Sequence, residues 1–246
     1  MSQSSKTSLP EMLKSNPYPG RSIAIGVSAN GLNAVIVYFI MGRSENSRNR
    51  IFVEQQDEVV ILPYDKAKVE DPSLIIYSPL KVCKLSDKYC ILVTNGDQTD
   101  TIYDALIEGE NFESALKTRC FEPDAPNYTP RISGVFSTSK EGLSEYNLSI
   151  LKSADKQGTA CVREFFNYPI ISGVGHFIST YVTDGSPLPS FEGEPVRIDI
   201  PNDIRQFAND IWNNLNDQNK ISLYVRSIKL DTGSTENILI NKHTEM

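Results

Sequence analysis

The chain has 246 residues, 39% of them hydrophobic and 22% charged, with 14 glycines, 14 prolines and a formal net charge of -7. That composition excludes general disorder and low-complexity architecture, and the negative balance excludes a global attraction to nucleic acid or to an anionic membrane. Four cysteines without a C-x-x-C pair and only two histidines, His176 and His243, argue against a zinc site of familiar spacing and against a Ser-His-Asp triad.

Residues 1–17 are Ser- and Lys-rich and read as an N-terminal extension, either a mobile arm or a short leading helix, with order expected from about Asn16. Residues 22–28, a turn at Asn30-Gly31 and residues 34–40 read as a hairpin whose second strand is apolar on both faces and therefore lies between two layers. Further strands are expected at 50–53, 58–62, 74–77 and 89–94. Two short helices follow at 99–108 and 111–119, with Gly109 as the break and Asn111 as a cap. Strands at 131–137, 145–151, 160–166 and 176–182 come next. After Pro201, the apolar residues Ile204, Phe207, Ala208, Ile211, Trp212 and Leu215 repeat at helical spacing behind the capping candidates Asn202 and Asp203. Strands at 221–229 and 237–240 close the chain. About ten strands and a few one-faced helices give an α+β fold, read as a single domain over 18–246 with sheets inside and helices outside. No N-terminal apolar segment and no membrane-spanning run is seen, so a cytoplasmic protein without membrane or nucleic-acid partners is expected.

Three polar segments carry candidate chemistry. Residues 42–50 place Arg43, Arg48 and Arg50 beside Asn46 and Asn49, a set suited to phosphate and base recognition or, equally, to a solvated loop. Residues 94–101 join a strand end to a helix through Gly96, where backbone N–H groups meet either an anion or the helix's own caps. Glu122 and Asp124 lie in a Pro-rich loop and are candidate general bases or plain surface carboxylates. His176, flanked by Gly175, reads more readily as a structural hydrogen-bonding histidine than as a catalytic one.

Taken in order, Pro19-Gly20-Arg21, Tyr38 with Arg43-Ser44 and Asn49-Arg50, Tyr77, Asn95-Gly96 with Thr99-Asp100-Thr101-Ile102, Thr129-Pro130-Arg131 and Ile178-Ser179-Thr180-Tyr181 resemble the archaeal-type inosine monophosphate (IMP) cyclohydrolase family, with this chain a longer, bacterial-looking member. The resemblance covers about residues 18–182. It implies a four-layer αββα sandwich of the N-terminal-nucleophile hydrolase type, here without a Cys, Ser or Thr at the terminal nucleophile position. The implied reaction closes 5-formamidoimidazole-4-carboxamide ribonucleotide to IMP with loss of water, and its chemistry requires no metal or other cofactor. By resemblance Arg50, Tyr77 and Glu122 are catalytic, while Asn95, Gly96, Thr99 and Asp100 position the nucleotide. The Glu122 assignment needs a one-residue insertion to align, and Asp124 is its alternative. Charge matching adds Arg21, Arg43 and Arg131 as phosphate ligands. The competing readings are a purine-nucleotide or imidazole-ribonucleotide binding protein without ring closure, an enzyme acting on a different ribonucleotide, and a nonenzymatic interaction domain. A homo-oligomer through exposed helical faces is compatible with all of them.

Overall fold

The structure is a computed structural model and describes residues 7–69, 77–86, 88–139, 142 and 144–244. After a short helix, α1 (Leu9–Lys14), come β1 (Ser22–Val27), β2 (Asn33–Met41), the single turn α2 (Glu45–Arg48), β3 (Ile51–Gln55), β4 (Glu58–Leu62), β5 (Leu80–Lys84) and β6 (Lys88–Thr94). Helices α3 (Gln98–Ile107) and α4 (Phe112–Lys117) precede β7 (Arg131–Ser139), β8 (Ser144–Ser153), β9 (Cys161–Pro169), β10 (Val174–Ser179) and β11 (Val196–Asp199). Helix α5 (Ile204–Asn214), β12 (Lys220–Lys229) and β13 (Thr235–Asn241) complete the chain. The strands form two antiparallel sheets, ordered β11-β10-β1-β2-β12-β13 and β3-β4-β5-β6-β7-β8-β9.

Side-chain alternation on β2 explains the layering. Ala34, Ile36, Tyr38 and Ile40 point between the sheets, where they meet Phe52, Ile91, Val93, Phe136, Leu148 and Ile150 of the second sheet. Val35, Val37, Phe39 and Met41 point the other way, onto Leu9 and Leu13 of α1 and Phe207, Ile211 and Trp212 of α5. A strand in this position needs apolar residues at every step, which is the pattern its sequence carries. The second sheet repeats the arrangement: Cys90, Leu92 and Val135 turn outward to Ile102, Leu106, Phe112 and Leu116 of α3 and α4. In β12 the register shifts between Lys220 and Ser222, so Ile221 joins the inter-sheet core although Leu223 and Val225 face α5. Gly134 keeps the sheets close, because a Cβ there would sit 2.7 Å from Ile25 Cδ1 and 3.1 Å from Leu148 Cδ2.

The structure departs from the sequence-based expectations at identifiable places. Of the two readings of the leading segment the short helix holds, and it is packed well ahead of Asn16: Thr7 bridges Ile198, and Leu9 and Leu13 are fully buried on α5. Strand β5 was not expected, because Lys81 and Lys84 break its apolar run, whereas the more apolar 74–77 drew the assignment. Residues 74–76 lie outside the described residues, and Tyr77 stands in the connection before β5. Strand β11 has four residues and follows a Pro- and Gly-rich stretch, too short to register as a period. Helix α3 starts one residue early, at Gln98. Of the two caps expected for α5, Asp203 serves, accepting from Gln206 N at 2.9 Å, while Asn202 instead accepts from Asn30 N at 2.7 Å. Gly109 ends α3 at φ +85° and the Asn111 side chain caps α4.

Candidate active site

A cavity of about 470 Å³ opens where the start of β1, the β2–β3 connection, the 118–130 loop and the segment after β10 meet. Its wall includes Arg21, Arg43, Arg50, Glu122, Asp124 and Thr129. Four residues assigned from sequence therefore converge here: Arg21, Arg43, Arg50 and Glu122.

Local chemistry accounts for each placement. Gly20 has φ +76°, and any Cβ there would run into Thr180 Oγ1 and the Tyr181 ring, so only glycine lets the chain turn Arg21 toward the cavity. The polar segment after β2 is not a loose loop: Ser44 and Ser47 cap each other across α2, with Ser47 N donating to Ser44 Oγ at 3.1 Å and Ser44 N donating to Ser47 Oγ at 3.0 Å. This turn carries Arg50 inward. Its Nε donates to Ser47 O at 2.7 Å and its Nη2 to Met41 O at 3.5 Å, and the residue is only 5% exposed. Asn49 is spent on a reciprocal pair with Asp65, and Arg48 on Gly42 O and Asn219.

The three guanidiniums differ in what balances them. Arg21 Nη2 lies 3.3 Å from both carboxylate oxygens of Glu122. Arg43 donates to Asp184 at 2.6 Å and to Gly185 O at 2.8 Å, and its guanidinium lies 5.2 Å over the Tyr18 ring. Arg50 has no carboxylate partner among the described residues. Burial, reinforced by the neighbouring Arg21 charge, pulls its pKa down. Among the described residues its charge is met only by the Ser47 and Met41 carbonyl oxygens, and burying a cation without a carboxylate is costly.

Tyr77 is not part of the cavity wall. It sits in the layer behind, where its hydroxyl meets that of Tyr38 at 3.1 Å, and both Arg21 and Arg50 act on it electrostatically. Burial raises its pKa while the two guanidiniums oppose the rise, so it stays a protonated phenol at neutral pH. Glu122 and Asp124 are held differently. Both Asp124 oxygens accept from Thr129, Oδ1 from its backbone N at 2.6 Å and Oδ2 from its hydroxyl at 2.5 Å, which folds the loop on itself. Glu122 instead reaches across to Arg21.

Asn95, Gly96, Thr99, Asp100 and Arg131 form a second group, behind the 118–130 loop and outside the residues that line the cavity. Asn95 is fully buried, donates to Pro130 O at 2.8 Å and accepts from Ile132 N at 2.8 Å and from Gln98 Nε2 at 3.0 Å. Thr99 and Thr94 share a hydroxyl contact at 2.6 Å, and the Thr99 hydroxyl also donates to Gly96 O at 3.1 Å. Asp100 pairs with Lys81 at 2.7 Å, and Arg131 donates to Asp97 and Gln98, each at 2.7 Å. The contacts of this group are internal: it ties β6 and α3 to the end of the loop that bears Glu122.

His176 is also outside the cavity wall. Its Nδ1 meets Tyr146 Oη at 2.6 Å, and its ring stacks on Tyr168 at 3.6 Å. Burial, with Arg197 adding to it, lowers its pKa to about 4, so the imidazole is neutral at pH 7 and its site is structural. Among the described residues no group of three or more His, Cys, Asp or Glu side chains could hold a metal ion, and no helix is long and apolar enough to cross a membrane. Sequence reasoning did not single out Tyr18, Thr129 or Tyr181 for the wall, nor Asp184 as the partner of Arg43. The three wall residues lie inside or beside segments noted for other residues, but a tyrosine or threonine alone gives no sign of facing a cavity.

The family model for IMP cyclohydrolase-like protein matches residues 18–233. The chain belongs to that family. An IMP cyclohydrolase from Methanosphaera stadtmanae is 35% identical over 129 residues, which cover 51% of this chain and 60% of that protein. The match thus spans about 60% of the length of this curated relative. The family's matched range takes in every residue of the cavity wall and leaves α1 outside it.

Proposed function

We propose that this chain is an IMP cyclohydrolase, closing 5-formamidoimidazole-4-carboxamide ribonucleotide to IMP with loss of water, on a sandwich of the N-terminal-nucleophile hydrolase type. The observation that carries this reading, together with family membership, is the convergence of Arg21, Arg50 and Glu122 on one cavity, with Tyr77 outside the wall but in electrostatic reach of all three.

The reaction needs the carboxamide nitrogen, a weak nucleophile, to lose a proton as it attacks the formyl carbon. The formyl oxygen gains negative charge, is protonated twice, and leaves as water while the formamido nitrogen gives up its hydrogen to form the ring C=N bond; the attacking nitrogen keeps its second hydrogen. Glu122 is assigned as the base at the carboxamide nitrogen. It faces the cavity, whereas both oxygens of Asp124 are taken by Thr129. Arg50, without a carboxylate partner among the described residues, is assigned to the developing charge on the formyl oxygen, with Tyr77, outside the wall but in electrostatic reach of Arg50, as the proton donor behind it. Arg43, 38% exposed at the side chain and held by exposed partners, the Asp184 carboxylate and the Gly185 carbonyl, is the cation most readily turned to the 5'-phosphate. Arg21 fixes Glu122. Because both reacting groups belong to one molecule, holding them in register supplies a large part of the rate.

The test is direct. Purified protein incubated with the formamido ribonucleotide should produce IMP, followed by chromatography against an authentic standard. Failure to produce it, beside a cyclohydrolase that does, overturns the assignment.

A further inference from the structure

The hydroxyl network at the back of the cavity has a defined direction. The Thr129 hydroxyl has a single hydrogen, and that hydrogen goes to Asp124 Oδ2 at 2.5 Å. The Tyr181 hydroxyl lies 2.6 Å from the same Thr129 oxygen, and with the threonine hydrogen already committed, Tyr181 has to be the donor in that contact. The chain of donation therefore runs from Tyr181 to Thr129 to Asp124. Tyr181 keeps its hydrogen over the working pH range, since burial lifts its pKa to about 12 against the opposing effect of Arg21. Its ring is fixed as well, stacked on Tyr18 at 6.0 Å and pressed against Gly20. What the Tyr181 oxygen has left to offer the cavity is its lone pairs.

From this we infer that Tyr181 is an acceptor-only contact that recognises the substrate through an N–H, and that on the reading proposed above this N–H is the second hydrogen of the carboxamide nitrogen. The position supports the pairing. Glu122 N donates to Thr129 O at 2.9 Å, so Glu122 and the Thr129–Tyr181 contact are neighbours across the same loop, and all three residues line the cavity. The attacking nitrogen carries two hydrogens. Glu122 removes one, and Tyr181 accepts from the other. Two acceptors set side by side fix the rotation of the amide about its bond to the ring and turn the nitrogen toward the formyl carbon. They also set a specificity: an analogue with a carboxylate in place of the carboxamide brings oxygen lone pairs against the Tyr181 oxygen and has no hydrogen to give.

Asp124 gives the inference a second, opposite test. In Asp124→Asn the carbonyl oxygen keeps the Thr129 backbone N–H, and the new amide N–H₂ faces the Thr129 hydroxyl and donates to it. The threonine hydrogen is then released toward Tyr181, whose own hydrogen is freed to point into the cavity, and Tyr181 becomes a donor.

The experiment is titration calorimetry with two probes that lack the formyl group and cannot react, 5-aminoimidazole-4-carboxamide ribonucleotide and its 4-carboxylate analogue. The readout is the ratio of the carboxylate Kd to the carboxamide Kd. Comparison between variants cancels the constant contribution of the nearby arginines. Tyr181→Phe, which keeps the stacked ring, should lower that ratio by about tenfold, the worth of one hydrogen bond of this kind. Asp124→Asn should lower it at least as far. A ratio unchanged in both variants, with the wild type binding both probes, overturns the role of Tyr181 and leaves the cyclohydrolase reading standing. A wild type that binds neither probe overturns that reading and, with it, the inference that rests on it.

Discussion

Glu122→Gln is expected to lower the rate of ring closure by roughly 10²- to 10⁴-fold, the usual contribution of a positioned general base. The substitution keeps the shape of the side chain and an oxygen for Arg21, so nucleotide binding should change little and the loss should fall on kcat. The comparison that gives this result its meaning is Asp124→Asn. Both Asp124 oxygens are spent on Thr129, so its substitution acts on how the substrate is held and should cost turnover much less than Glu122→Gln. Steady-state kinetics of the two variants side by side check the assignment. The reverse order of effects would transfer the base to Asp124.

Arg50→Met carries the second large expectation, and it has two parts with opposite signs. Turnover measured as kcat/KM should fall by about 10²- to 10³-fold, as when one preorganised donor to a developing oxyanion is removed. Stability should not fall with it. Arg50 is a buried cation held by two carbonyl oxygens, without a carboxylate partner among the described residues, and it lies close enough to Arg21 for the two charges to repel. Methionine fills much of the same volume without that burden, so the melting temperature should hold or rise, the usual sign of a residue kept for function at a cost to the fold. Thermal melts run beside the kinetics read both parts. A variant that melts far below the wild type while its remaining folded fraction turns over normally would make Arg50 a structural residue.

Much of the fold could be read from the sequence because its strands differ in how they are covered. β2 is apolar at every position and is flanked by layers on both sides, and α5 carries a single stripe that ends on the opposite face of the same sheet. β5 and β11 escaped because burial there is made by neighbours and not by the strand's own composition: Lys81 and Lys84 interrupt the first, and the second has four residues. The leading segment was left open between a mobile arm and a short helix for a related reason. Leu9 and Leu13 anchor it with Met12 packed beside them, a few apolar positions in a polar segment, and their value depends on a surface of α5 that no local pattern reveals.

The candidate site divides along the same line. Arg21, Arg43, Arg50 and Glu122 were legible because charge is costly to bury and stands out in short segments, and the fold brings all four to one cavity. The turn at 95–100 looked equally rich in polar groups, and there the polarity serves the junction of a strand, a helix and a loop: Asn95 alone satisfies three groups of that junction. Nothing in the spacing of a polar cluster says whether its hydrogen bonds are already made. Thr129 and Tyr181 are the converse case, ordinary residues whose proposed role comes from a direction of donation that exists only once the loop and the segment after β10 are brought together.

The central claim is that ring closure takes place between Glu122 on one side and Arg50 with Tyr77 on the other. A crystal structure of the protein with IMP bound tests it most directly, because the nitrogen and carbon joined in the reaction are adjacent atoms of the product's six-membered ring. The account predicts that this edge lies within about 3 Å of Glu122 and of the Arg50 guanidinium, at hydrogen-bond distance, with the phosphate toward Arg43. IMP bound at the Gly96–Asp100 turn, or with that edge facing away from Glu122, would contradict it.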